Sequence, residues 1–213
     1  MIPLISESIT AYCESMGMAE PPLLAELREV TNASVPHPQM LSGPLVGRTL
    51  AWLIRMHRPK RILEIGTYTG YSALWMAGSM PSDAELHTVD RDENVVRIAR
   101  SFAERHDAYR RIYFHIDDAV PFVKKANEHW DFVFLDADKS RYPEYLSLLT
   151  PRVQSGAILV ADNCLWSGRV VQAEATDDDT QGIRAFNQAL NKSSQWENVL
   201  WPIRDGLHVA IRQ

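Results

Sequence analysis

The chain has 213 residues, 46% of them hydrophobic, which is enough to bury a sizeable core within one domain. Lysine and arginine total 22 against 27 for aspartate and glutamate, and the formal net charge of -5 gives no overall pull toward nucleic acid or anionic lipid. The two cysteines, Cys13 and Cys164, are too few for a disulfide framework and suit a reducing interior.

The N-terminal segment has neither the basic leader nor the continuous apolar core of a signal peptide. No apolar run approaches the roughly 20 residues needed to cross a bilayer, so a cytoplasmic location is expected. Apolar residues at helical spacing predict helices over 4–17 (Leu4, Ile5, Ile9, Tyr12) and 22–33 (Leu23, Leu24, Leu27, Val30), with Pro21 and Pro22 between them. SVPHPQML (34–41) carries two prolines and is a loop, and a third helix is expected over 43–57. The basic stretch RMHRPKR (55–61) has no interleaved aromatics to stack bases, and its cations sit where a helix C-terminus favours them.

From residue 61 onward, short β-rich runs alternate with helical stretches. Strands are expected at 61–65, 85–90, 111–116, 131–136 and 157–161, the signature of a doubly wound parallel α/β sheet. TDDDT (176–180) caps a helix near 180–192, and NVLWPI, RDG and GLHVAI form a closing hairpin. No internal repeat or interdomain linker interrupts the chain.

The first strand ends in LEIGTYTGYS, with Gly66 and Gly70 four apart and Ser72 entering the next helix. Glycines there let the backbone turn sharply and approach a ligand, and the helix start offers free N–H donors. Twenty positions after Gly70, Asp90 ends the second strand, where a carboxylate accepts from both hydroxyls of a ribose. A dinucleotide loop has the spacing G-x-G-x-x-G, whereas this one is E-x-G-x-x-x-G, and Glu64 would repel a pyrophosphate. S-adenosylmethionine, with its ammonium and sulfonium cations beside an adenosine, fits such a loop better than NAD. Asp118 and Ala119 open another helix; Asp118 reads equally as a contact to the adenine amino group and as a helix cap.

DFVFLDADKSRYPEY (131–145) and AILVADNCLW (157–166) are apolar runs that end in oxygen donors, Asp136 on one and Asp162 with Asn163 on the other. Open α/β sheets place ligands at that carboxyl edge. One carboxylate alone is more simply a helix cap, but its recurrence on two strand ends points to a hard oxygen site for Mg²⁺ or Ca²⁺, completed by water or substrate oxygens. The histidines and cysteines lack zinc spacing. Lys139, three residues after Asp136, reads as a general base beside a dication or as a solvated residue opening the next helix. Trp166 and Tyr142 read as walls for an aromatic substrate or as packing residues.

LEIGTYTGYSAL, FLDADKSRYPEYL, ADNCLWSGRV and PIRDGLHVAI resemble, in order, the motifs of the cation-dependent O-methyltransferases that include catechol O-methyltransferase and the plant caffeoyl-CoA O-methyltransferases. The resemblance runs from about Met40 to the C-terminus. It implies a Rossmann-like seven-stranded methyltransferase sheet, mostly parallel with an antiparallel last strand and helices on both faces. It also implies one methyltransferase domain over 1–213, in which residues 1–40 choose the substrate and contribute to a homodimer while 41–213 form the core. By this resemblance Asp136, Asp162 and Asn163 hold Mg²⁺, or Ca²⁺ or Mn²⁺ in its place, and Lys139 is the base. Met40, Glu64, Gly66, Ser72, Asp90, Asp118, Ala119 and Asp138 line or approach the S-adenosylmethionine site. This chain has Asp117-Asp118-Ala119 where many relatives have a Gly-Asp-Ala triplet. The implied acceptor is a small catechol-type diol. Some bacterial relatives instead methylate a hydroxylated uridine in transfer RNA, against which the net charge and the missing basic-aromatic surface argue.

Overall fold

The computed structural model describes residues 5–126 and 129–213. Its seven strands follow the order β3-β2-β1-β4-β5-β7-β6. Packing divides the chain into two compact units, 7–119 and 120–213 with 5–6.

In the first unit, α1 (Glu7–Met16), α2 (Pro22–Ser34) and α3 (Gly43–His57) precede β1 (Arg61–Ile65). The expected start of the first helix at Leu4 lies outside the described residues. Pro22 stands in the first turn of α2, where a missing N–H is harmless. Arg55 and His57 occupy the last turn of α3, and Arg61 pairs with Glu85 at 2.7 Å, so the basic stretch is a helix end running into a strand. Then come α4 (Tyr71–Ala77), β2 (Glu85–Asp90), α5 (Glu93–Ala103) and β3 (Ile112–Ile116). β1 and β2 pair in parallel, as do β2 and β3. Four of the five β1 residues are buried, Glu64 among them, so both faces of the strand are covered and burial does not alternate along it. Asp92 caps α5 by accepting from the Asn94 N–H at 2.9 Å.

α6 (Ala119–Lys125) leads into the second unit, which holds β4 (Trp130–Leu135), α7 (Tyr142–Leu149), β5 (Val153–Ala161), α8 (Asp178–Lys192), β6 (Trp196–Trp201) and β7 (Leu207–Arg212). β4 and β5 are parallel, while β7 runs antiparallel to both β5 and β6, so the last strand is the reversed one. β5 starts four residues earlier than the apolar run alone indicates. Its polar stretch QSG bulges, with the register jumping from Trp130↔Val153 to Phe132↔Ile158, and Gly156 takes φ 84°. The acidic run before α8 caps it: Asp177 accepts from the backbone N–H and the hydroxyl of Thr180.

Gly70 has φ 87°, and a Cβ on it would lie 2.8 Å from the Ala99 Cβ on α5. Gly70→Ala therefore adds volume and left-handed strain together, a loss of about 1–3 kcal/mol by overpacking. At roughly 2–4 °C per kcal/mol for a chain this size, the expected result is a melting midpoint lower by several degrees, read by circular dichroism. An unchanged midpoint would show that the loop and α5 separate freely.

Candidate active site

The glycine loop follows β1, and its carboxylate, Glu64, is fully buried. Such a group is tolerable only when its oxygens are hydrogen-bonded. Here Ser72 Oγ donates to Oε1 and Thr88 Oγ1 to Oε2, each at 2.5 Å, and Thr67 Oγ1 meets Thr88 Oγ1 at 2.6 Å. Asp90, at the end of β2, accepts from the Tyr68 N–H at 2.8 Å on Oδ2 and from the Asp92 N–H at 3.0 Å on Oδ1. Both contacts are with backbone, so the carboxylate is oriented while its remaining lone pairs stay available. Gly66 has φ 102° and its N–H donates to the Val89 carbonyl, stitching the loop to β2. Asp117 donates its N–H to the Asp90 carbonyl, which places Asp118 and Ala119 beside the same strand end. The Asp118 N–H donates to Asp117 Oδ1, and Ala119 is the first residue of α6. Met40 closes a 3₁₀ turn (Pro38–Met40) and is 56% exposed. The loop's Tyr68 hydroxyl reaches the Pro36 carbonyl at 3.1 Å, tying that turn region to the glycine loop.

In the second unit, β4 ends at Leu135 and delivers Asp136; β5 ends at Ala161 and delivers Asp162 and Asn163. Lys139 opens a 3₁₀ turn (Lys139–Arg141) and is only 8% exposed. Its Nζ donates to Asp136 Oδ1 at 2.6 Å and to the Tyr142 hydroxyl at 2.8 Å. Tyr142 in turn faces the carbonyls of Leu135 at 3.1 Å and Asp162 at 3.0 Å, so one phenol bridges the two strand ends and the lysine. Burial, reinforced by the charge of Asp136, pushes the Tyr142 hydroxyl well above its ordinary pKa and keeps its proton on. Tyr142 has no exposed surface. It lies beneath the carboxylates, and the expectation that it walls an acceptor ring is corrected on that ground.

Asp162 is fully buried, and the Asn163 N–H donates to its Oδ1 at 2.6 Å. Among the described residues its Oδ2 accepts no hydrogen bond, and the Arg204 guanidinium stands 3.9 Å from it. Burial, then the neighbouring Asp136, push this carboxyl up to about 7. Asn163 takes φ 59°, a left-handed conformation that asparagine tolerates better than most residues. Trp166 also has positive φ, and its buried Nε1 has no acceptor. Asp138 precedes the Lys139 turn and accepts the Arg141 N–H through its backbone carbonyl. Cys164 is fully buried and its thiol is pushed far above its ordinary pKa by burial, so it offers no reactive thiolate beside Asn163.

Among the described residues no cluster of three or more His, Cys, Asp and Glu side chains is arranged to hold a metal. The expected ligand set has a different composition: two carboxylates and an amide, all oxygen donors, with one buried carboxylate oxygen lacking a donor. That set fits a hard dication that retains open positions, and it does not fit zinc. Two residues at this edge were missed in the sequence. Asp205 and Arg204 sit in RDG, which there signalled only a hairpin turn.

The O-methyltransferase family model matches residues 14–213. The chain belongs to the O-methyltransferase family. It is 31% identical to the caffeoyl-CoA O-methyltransferase of Populus kitakamiensis, over 98% of this chain and 95% of the relative. It is 29% identical to the catechol O-methyltransferase of Niastella koreensis, over 97% of each chain. Among solved structures, the O-methyltransferase TomG from Streptomyces achromogenes, in complex with S-adenosylmethionine, superposes with a TM-score of 0.87 at 26% identity, covering 98% of this chain and 100% of that one. This O-methyltransferase accordingly transfers methyl groups to oxygen. In it, Tyr142→Phe removes the phenol that joins Lys139 to two buried carbonyls. A stability loss of about 1–3 kcal/mol is expected from urea unfolding, the range for a buried polar group left unsatisfied; a smaller loss would mean the carbonyls find other donors.

Proposed function

We propose that this O-methyltransferase methylates one hydroxyl of a vicinal dihydroxy aromatic, a catechol-type small molecule, using S-adenosylmethionine and a divalent cation of the Mg²⁺ class. The observation that carries this reading is the buried Asp162 Oδ2 without a hydrogen-bond donor, next to the Lys139–Asp136 pair. The catechol and caffeoyl-CoA enzymes named among the relatives support the acceptor class, and the S-adenosylmethionine complex supports the donor.

S-adenosylmethionine supplies a sulfonium-activated methyl group. Asp90 would accept from the ribose hydroxyls, Asp118 and Ala119 would face the adenine, and Glu64, Gly66 and Ser72 would meet the amino-acid end, with Met40 and Asp138 completing the surround. The backbone grip on Asp90 and the hydroxyl grip on Glu64 hold both carboxylates in position before the ligand arrives, so little orientation is left to the binding event.

A bound cation would supply positive charge that gathers two adjacent phenolic oxygens and acidifies one of them. Asp136, Asp162 and Asn163 are the residues to hold it. Lys139, once its own ammonium proton has passed to solvent, would take the phenolic proton on Nζ, with the buried Tyr142 hydroxyl and Asp136 fixing the amine's direction. Trp166 would cover one face of the acceptor ring. The phenolate would attack the methyl in line as the methyl carbon–sulfur bond breaks and S-adenosylhomocysteine leaves, and alignment of the two reactants can be worth about 7–11 kcal/mol of the barrier.

The same reading makes the enzyme cytoplasmic and homodimeric. Cys13 and Cys164 are free thiols, and Ile9, Tyr12 and Met16 stand exposed on one face of α1, apolar surface that a second copy would cover. No helix among the described residues is long and apolar enough to cross a membrane.

The deciding measurement is transfer of labelled methyl from S-adenosylmethionine to catechols and matched monophenols, with Mg²⁺ and with chelator. Catechols alone should be methylated, only with the cation, and Asp136→Ala and Asn163→Ala should reduce turnover to background while S-adenosylhomocysteine binding persists. Turnover undiminished by chelator would remove the cation from the mechanism. Cofactor binding with no product from any diol would point to a larger acceptor, and transfer RNA would be the next substrate tested.

A further inference from the structure

Asp205 lies in the β6–β7 turn between two residues of positive φ, Arg204 at 52° and Gly206 at 91°, and is 1% exposed. Its carboxylate accepts from two partners. Oδ2 accepts from Asn163 Nδ2 at 3.2 Å, and Oδ1 accepts from the Ser167 backbone N–H at 2.5 Å. The two chain segments are also stitched by backbone bonds, from the Cys164 N–H to the Gly206 carbonyl and from the Leu165 N–H to the Asp205 carbonyl, both at 2.9 Å. The approach is so close that a Cβ on Gly206 would lie 2.8 Å from the Leu165 nitrogen.

An ionised carboxylate only accepts hydrogen bonds, whereas a primary amide offers an oxygen at one corner and a donor at the other. A carboxylate against Asn163 therefore selects one of the amide's two orientations, with nitrogen inward and oxygen outward. That choice matters at this position alone. A carboxylate ligand has two equivalent oxygens, but an amide turned the wrong way presents N–H to a cation. We propose that Asp205 is a positioning residue for the cation site: it sets the orientation of the Asn163 amide so that Oδ1 faces the cation. The inference rests on the proposed role of Asn163 as a ligand.

The chemistry defines a swap. In Asp205→Asn, the new amide uses its oxygen on the Ser167 N–H and turns its NH₂ toward the NH₂ of Asn163, which must flip and present nitrogen outward. In Asn163→Asp, two carboxylates face each other at the 3.2 Å contact. In the double variant Asn163→Asp with Asp205→Asn, the hydrogen bond reforms with reversed polarity. The Ser167 N–H keeps its acceptor, and an oxygen again points outward.

The test is Mn²⁺ binding to the full chain, read by electron paramagnetic resonance of the free ion, with S-adenosylhomocysteine affinity and a thermal melt as folding controls. Asp205→Asn should weaken Mn²⁺ binding about 10- to 100-fold, the range for partners that orient a metal ligand, with S-adenosylhomocysteine affinity unchanged. The double variant should recover most of that loss. Equal loss in the single and double variants, or wild-type Mn²⁺ affinity in Asp205→Asn, overturns the inference. Should Asp205→Asn fail to fold, the double variant decides: folding with near wild-type Mn²⁺ affinity supports the inference, and folding without it overturns it. Absence of Mn²⁺ binding by the wild-type chain instead removes the cation reading itself, and this inference with it.

Discussion

Asp162 is a carboxylate with no exposed surface, and one of its two oxygens receives no hydrogen bond. Burying an ionised group without compensation is expensive, so the surroundings must either protonate it or provide positive charge. The second unit does part of each. Its pKa rises to about 7, while Arg204 at 3.9 Å and Lys139, itself held on Asp136, bring cations near. Asp136 and Asp162 thus have Lys139 and Arg204 as their cationic neighbours. The divalent cation proposed for this strand edge would add to that compensation.

Such an arrangement needs a rigid frame, because an uncompensated carboxylate would otherwise turn toward water. The frame is built from backbone in sparsely populated conformations. Asn163, Trp166, Ser167 and Arg204 all have positive φ, as do Gly168 and Gly206. For a side-chain-bearing residue each such conformation costs of order 1–3 kcal/mol and persists only when its surroundings over-determine it. The over-determination is visible in the bonds from Asp205 to Ser167 and Asn163, in the Leu165 packing on Gly206, and in Tyr142 below. α8 closes the other side so tightly that a Cβ on Gly182 would fall 2.4 Å from the Lys139 carbonyl. These conformations cluster at the strand edge that carries the proposed cation ligands.

The first unit meets a similar problem differently. Glu64 is equally buried, but two hydroxyls satisfy both of its oxygens, so it needs no nearby cation to be stable. In the proposed function its settled negative charge at the glycine loop would suit a ligand that carries positive charge. Ser72, expected at the cofactor, spends its hydroxyl proton on Glu64 and so acts on the loop through that carboxylate. Asp90 is held by backbone N–H groups alone, which leaves it free to accept from a ligand.

The amino-acid sequence by itself determined the element order, because apolar periodicity and proline and glycine punctuation are local properties. The third helix, Gly43–His57, and the strands Arg61–Ile65 and Glu85–Asp90 lie where that periodicity put them. The strand-end positions of Asp136, Asp162 and Asn163, and the nearness of Lys139 to Asp136, were legible too, since apolar runs that end in oxygen donors stand out without any knowledge of packing. Legibility failed where meaning depends on a distant partner. The early start of β5 was hidden in polar QSG, which becomes strand only by pairing through a bulge. Tyr142 looked like a substrate wall, and only the fold shows it buried under the lysine. Asp205 looked like a turn residue, 42 positions from Asn163, and only the antiparallel return of β7 beside β5 brings the two together. A hydrogen bond between residues so far apart leaves no periodic trace in the chain, so tertiary structure alone decided which carboxylate faces the amide and which way that amide points.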